Sequence, residues 1–182
     1  MQSIINTINK LDFETVCIYG VGIPQLFFNK IKGDKTGIDN FDKTKFPRSW
    51  SGKTIASNIL SKPNKKTFDV VIINDSKHYK DLVKYFKQAL KNIKKEGKII
   101  FTHSMPKLPI DVTKEPLKHQ FWCGDVQQFV IELISKGGYK VTTFDEGFGM
   151  SIIEIDETKE PKDIEVSGFE EVFFQRKELM NN

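Results

Sequence analysis

The stretch TVCIYGVGIPQLFFNKI, residues 15–31, decides the fold. Thr15 to Tyr19 reads as a buried strand, and it runs straight into Gly20-Val21-Gly22. Pro24 and an apolar-rich segment come next, which the spacing predicts as a helix stopped by Gly33. A strand that ends in Gly-x-Gly and feeds a helix leaves free amide groups at the crevice where a nucleotide approaches. Upstream, Ile4, Ile5, Ile8 and Leu11 share one face of a short lead-in helix over residues 2–11. Downstream, Lys35 to Asn40 is a short second strand carrying Asp39, and Lys53 to Ser57 a third.

The alternation continues through residues 67–97. Phe68 to Ile73 is a nearly continuous apolar run, as expected of a central strand covered on both faces. Asn74-Asp75-Ser76 is a plausible helix start, and Leu82, Val83, Phe86, Ala89, Leu90 and Ile93 recur at helical intervals. Lys94, Lys95 and Gly97 read as the end of that helix, since cations suit its carbonyl end and glycine its cap. Lys98 to Thr102 is the next strand. Pro106, Pro109 and Pro116 mark residues 105–121 as a long loop, Asp125 to Ser135 is a helix, and Tyr139 to Phe144 and Met150 to Ile155 form an antiparallel hairpin across DEGFG. This order predicts a doubly wound α/β domain with a mostly parallel sheet, strand order 3-2-1-4-5-7-6 and a C-terminal antiparallel hairpin. The domain is expected over residues 1–156, with residues 157–182 an extension packed on it that holds a short helix near Phe169 to Leu179.

Composition narrows the function classes. The chain has 182 residues, 38% hydrophobic and 29% charged, within the globular range. Its net charge of +4 comes from many Lys set against nearly as many acids, with Arg48 and Arg176 the sole arginines. No Arg or aromatic stripe of a phosphate-backbone reader is present, so no nucleic-acid partner is expected. Cys17 and Cys123 stand far apart in no metal-ligand array, which fits reduced thiols in a cytoplasmic protein. Neither a leader pattern nor a long apolar span occurs, so no membrane partner is expected.

The motifs resemble those of class I S-adenosylmethionine-dependent methyltransferases. IYGVGIP stands where that family has its glycine-rich loop, and FDVVIINDSKHY, the helix and KKEGKIIFTHS follow the family order. WCGDVQQFVIEL and GYKVTTFDEGFGMSII resemble the closing motifs of one uncharacterised branch, and the similarity spans roughly residues 14–156. The resemblance implies S-adenosylmethionine as cofactor, with Gly20, Gly22, Asp39, Asn58 and Asn74 on its side. A small-molecule acceptor is implied, shaped by His78, His103 and Asp75 as catalytic candidates and by Trp122 and Asp125. A histidine serves as a general base near neutral pH, and methyl transfer asks for little beyond in-line positioning and removal of a proton.

Each candidate has a plainer reading. Gly-x-Gly serves tight turns without any ligand, Asp39 could be a solvated loop carboxylate, and Asn58 a turn residue. Single histidines are often structural, nothing further marks His119, and Asp125 could be an N-cap of its own helix. Asp75, His78 and His103 could also ligate a divalent metal, but the carboxylate count is low for Mg²⁺ and no metal is expected. WSGKTI is not a P-loop, since that motif needs glycine at Pro47 and a helix afterwards. Where the family has an acid, a glycine and an acid, this chain has Ile18, Pro24 and Ser104. These departures favour the alternative of a non-catalytic, methyltransferase-like binding or assembly module, and a third option is an enzyme acting on another nucleotide, such as a nucleotide sugar.

Overall fold

The computed structural model describes residues 2–20, 28–39, 52–56, 67–74, 77–112, 122–145, 147–156 and 158. The elements in chain order are α1 (Gln2–Lys10), β1 (Thr15–Tyr19), β2 (Asp34–Asp39), β3 (Lys53–Ala56), β4 (Phe68–Ile73), α2 (Tyr79–Asn92), β5 (Ile93–Thr102), α3 (Val126–Lys136), β6 (Tyr139–Phe144) and β7 (Met150–Ile155). Short 3₁₀ turns lie at Phe28–Lys30 and Pro109–Val112. The strands form one seven-stranded sheet in the order β3-β2-β1-β4-β5-β7-β6. β1 pairs in parallel with β2 and β4, β2 in parallel with β3, and β6 antiparallel with β7. This is the mixed α/β architecture that the sequence pattern predicts.

Strand burial explains the clarity of that pattern. Val16, Cys17, Ile18 and Tyr19 of β1 and Val70 to Ile73 of β4 are all buried. Parallel strands covered on both faces need apolar residues at consecutive positions, so the runs carry no alternation. Fully burying one such side chain is worth about 1.5–3 kcal/mol, enough to fix these strands irrespective of local propensity.

Two local expectations fail. α2 begins at Tyr79, beyond Asn74, and it ends at Asn92, so Lys94, Lys95 and Gly97 lie in β5 and not in a helix cap. β5 opens with buried Ile93, then three exposed residues, then buried Gly97. A Cβ on Gly97 would meet Ile93 Cγ1 at 2.5 Å and the Asp69 carbonyl oxygen at 2.8 Å. The glycine therefore serves a close backbone approach, which a sequence reading confuses with a helix terminator. Of the segment expected as a helix after Gly22, residues 21–27 lie outside the described residues and Phe28–Lys30 form a 3₁₀ turn; the tail helix expected near residues 169–179 also lies outside the described residues.

The chain divides into two compact units, one of Met1–Ser76 with Lys84–Ile99 and the other of Lys77–Val83 with Ile100–Asn182. In the first, Asp69 ties the amino ends of β1 and β4. Its Oδ2 accepts from the amides of Glu14 and Thr15 at 3.1 and 2.9 Å and from Thr15 Oγ1 at 2.8 Å, while Oδ1 accepts from Lys94 Nζ at 2.6 Å. Burial works against the ionised carboxyl, yet the hydrogen bonds from Lys94, Thr15 and Glu14 together hold it well below the usual carboxylate range. In the second unit, α3 packs on β6, and Phe129 meets Phe101 edge-on with ring centroids 5.3 Å apart. Three hydroxyls join the hairpin to the end of β5: Ser151 Oγ donates to Ser104 Oγ at 2.8 Å and lies 3.0 Å from Thr143 Oγ1.

Candidate functional site

In the first unit, the carboxyl edge of β1 ends at Gly20, whose φ of 76° lies in the left-handed region that glycine adopts without strain. Three bonds sew this edge together. Gly20 N donates to Ile38 O, Asn74 N donates to Tyr19 O, and Asn74 Nδ2 donates to Gly20 O, each at 2.9 Å. Asn74 is thus a clamp between the ends of β1 and β4. Asp39 is the last residue of β2, one position past Ile38, which pairs with Tyr19. By register the Gly20 turn and residue 39 stand side by side at neighbouring strand ends. Gly22, Asn58 and Asp75 lie outside the described residues, as does His119.

Below this edge Tyr19 is fully buried, and its hydroxyl donates to Asn92 Oδ1 at 3.1 Å, which also accepts from Gln88 Nε2 at 2.8 Å. Burial, with a smaller push from Cys17, raises the phenol far above its ordinary value, so it stays a neutral donor. The strand that leads into Gly20 is thus held at both ends, by Asp69 at Thr15 and by Asn74 at Tyr19 and Gly20.

In the second unit, Trp122-Cys123-Gly124-Asp125 wraps the turn Lys77-His78-Tyr79. Asp125 N donates to Lys77 O at 2.6 Å, Lys77 Nζ donates to Trp122 O at 2.5 Å, and the His78 and Trp122 rings meet edge-on at 4.9 Å. Gly124 has φ 58°, and a Cβ there would lie 2.2 Å from Lys77 O. Only glycine lets the two backbones approach so closely. Asp125 occupies the N-cap position of α3 but makes no side-chain bond to that helix. Its Oδ2 accepts instead from Tyr79 N, at the start of α2, at 2.8 Å. The sequence expectation is therefore right about capping and wrong about which helix. Burial pushes the Asp125 carboxyl up, with His78 pulling in the opposite direction. Tyr79 is fixed further by its hydroxyl bond to Glu132 and by an edge contact with Phe129.

His103 follows β5 with φ 65°, the sole non-glycine residue with positive φ among the described residues. Its amide donates to Gly149 O at 2.9 Å, and its Nδ1 lies 2.9 Å from Thr102 Oγ1. Gly149 must be glycine here, since at φ 79° its Cβ would stand 2.2 Å from Met105 Cβ. Burial, and then the charge of Lys77, pull the His103 imidazole down to about 3, so the ring is neutral at physiological pH. A neutral imidazole donates one hydrogen bond and accepts another, but a base this weak is poorly matched to proton abstraction at pH 7. His78, in contrast, is exposed. No group of three or more metal-ligating side chains occurs among the described residues.

Sequence reasoning passed over Lys77, whose backbone carbonyl and ammonium both serve the clasp, and nothing in the local pattern marks it. It also passed over Gln127, a polar residue on an otherwise apolar face of α3 that also holds Val130 and Ile131. That break in the periodicity is the signal that could have found it.

The fold, with β1 to β4 parallel and an antiparallel β6–β7 hairpin, is methyltransferase-like. Among solved structures, the chain is similar to a candidate caffeoyl-CoA O-methyltransferase from Staphylococcus aureus, with 18% identity over 85% of this chain and 82% of that one and a TM-score of 0.62. It is similar also to the SAH-bound methyltransferase PaMTH1 from Podospora anserina, at 15% identity, 85% and 77% coverage and a TM-score of 0.60. A third is the O-methyltransferase TomG from Streptomyces achromogenes, in complex with SAM, at 14% identity, 85% and 78% coverage and a TM-score of 0.55. No protein-family profile matches the chain, and no curated protein matches it in sequence. No helix among the described residues is long and apolar enough to cross a membrane.

Proposed function

We propose that this chain is an S-adenosylmethionine-dependent methyltransferase acting on a small-molecule acceptor. The observation that carries the reading is the Gly20 turn, clamped by Asn74 and set in register beside Asp39 at the carboxyl edge of the parallel strands. That edge is where nucleotides bind in open α/β sheets, and an acid at the end of the second strand suits ribose hydroxyls. On this reading the backbone at Gly20 and Gly22, the carboxylate of Asp39, and the side chains of Asn58 and Asn74 are assigned to the cofactor. Bound there, S-adenosylmethionine supplies an electrophilic methyl group.

On the acceptor side we assign His78, His103, Asp75, Trp122 and Asp125. His103, neutral and fixed by Thr102, orients the acceptor through a hydrogen bond, and its low basicity leaves the proton to another group. His78, exposed and braced edge-on by Trp122, is the proton acceptor of choice. Asp125 contributes indirectly, by holding the amide of Tyr79 and hence the turn that presents His78.

One observation favours the rival reading, a non-catalytic module on the same fold. Ser104, fully buried, stands where the family has an acid and is absorbed into the hydroxyl chain with Ser151 and Thr143. Thermal unfolding with and without cofactor separates the two. A ligand at a hundred times its Kd stabilises the folded state by about 2.7 kcal/mol, so S-adenosylmethionine raises the midpoint if the site is intact. An unchanged midpoint at millimolar cofactor supports the module instead.

A further inference from the structure

The first turn of α3 holds a buried amide with nothing to bond. Gln127 is 1% exposed, and neither its Nε2 nor its Oε1 has a hydrogen-bond partner. Native proteins leave few such groups, and each exception asks for a water or a ligand. Gln127 is the second residue of α3, and helical side chains lean toward the amino end of their helix. There the first-turn N–H groups lack intrahelical acceptors. Asp125 does not supply them with one, because its carboxylate is engaged by Tyr79 N and makes no bond to α3. Helix donors without a side-chain cap and an unpartnered side-chain amide are two independent observations that converge on one end of one helix.

The chemistry of the missing group follows from Gln127. A primary amide offers two donors on nitrogen and an acceptor on oxygen. An anion would satisfy Nε2 and the helix amides but set its lone pairs against Oε1, and a cation would do the reverse. We infer that the amino end of α3 is a binding site for an uncharged polar group with a donor beside an acceptor, a carboxamide or lactam edge, read by the side chain of Gln127. Two antiparallel N–H···O bonds would then join ligand and glutamine, with the helix amides able to take the second lone pair of the ligand carbonyl. That this ligand is the methyl acceptor rests on the methyltransferase reading; the existence of the site does not.

The test uses the full chain labelled with ¹⁵N. The Gln127 side-chain amide resonances are the pair lost in Gln127→Leu, and in Gln127→Met should the leucine variant fold poorly. Benzamide and 2-pyridone at millimolar concentration are expected to shift this pair saturably, and benzoate is not. Either variant is expected to weaken benzamide binding by about tenfold or more, a step that corresponds to roughly one good hydrogen-bonded contact. Each is also expected to melt above the wild type, because an unpaired buried amide is gone. A pair that no probe moves means a trapped water only and overturns the inference, as does a variant that binds benzamide as well as the wild type. S-adenosylhomocysteine, titrated in parallel, should bind wild type and variants equally. Its failure to bind the wild type would remove the methyltransferase reading and leave the amide site standing.

Discussion

Replacing Asp125 separates capping from charge. Its carboxylate oxygen lies 2.8 Å from Tyr79 N at the start of α2, so Asp125→Ala leaves that first-turn amide without its acceptor. Loss of such a cap costs about 1 kcal/mol, within a range of roughly 0.5–2, and in a chain of this size that is about 2–4 °C in Tm. Asp125→Asn keeps an oxygen acceptor and discards the charge. Burial raises the carboxyl in the folded state, with His78 opposing, so across the window from the unfolded value near 3.9 up to the raised folded value the folded chain binds more protons than the unfolded one. The contribution of this group to stability therefore falls as pH rises through that window, and above it the wild type carries the whole penalty. The expected order of midpoints at pH 7, by circular dichroism, is Asn at or above wild type and Ala below both. Below about pH 4 the gap between Asn and wild type narrows. Equal losses in the two variants, or a gap that widens in acid, would refute the reasoning.

Further expectations come from other residues. Gly124→Ala puts a Cβ 2.2 Å from Lys77 O at φ 58°, and left-handed strain plus a backbone clash should cost about 2–5 kcal/mol by urea unfolding; a loss under about 1 kcal/mol would contradict the close approach. His103 has a folded value of about 3, set by burial and then Lys77, so stability is complete above about pH 6.5 and is lost as pH falls toward 3. His103→Asn, which tolerates the backbone, should flatten that slope, and a ring that titrates near 6.5 by NMR would overturn the assignment. Asp69 is held well below the carboxylate range, against its burial, by hydrogen bonds from Lys94, Thr15 and Glu14. Its contribution is complete above about pH 3.9 and lost as pH falls through the folded value. Asp69→Asn should thus lose stability at neutral pH and little in strong acid, and superimposable pH profiles would refute this.

How much the sequence reveals depends on whether a residue answers to its neighbours in the chain. β1 and β4 are legible to the residue, because their buried runs, Val16 to Tyr19 and Val70 to Ile73, are apolar at consecutive positions. β5 is not, because its first half is charged and exposed, and Gly97 serves a contact with Asp69 that only tertiary structure reveals. The same holds within the candidate site. Gly20 beside Asp39 follows from strand order alone, whereas the partner of Asp125 is 46 residues away in sequence. His103 reads as a general base from its type, and only its burial beside Lys77 makes it a neutral hydrogen-bonding group. Asn74 reads as a cofactor-side residue, and its bond to the Gly20 carbonyl is visible only in the structure.

The central claim is that Gly20 and Asp39 form the seat of a ribose-bearing cofactor, and calorimetric titration of the full chain with S-adenosylhomocysteine tests it most directly. Saturable binding, weakened about tenfold or more in Asp39→Asn by loss of a charge-assisted hydrogen-bond acceptor, is the predicted result. A folded wild type that gives no heat at millimolar ligand, or an Asp39→Asn variant that binds as the wild type does, would contradict it.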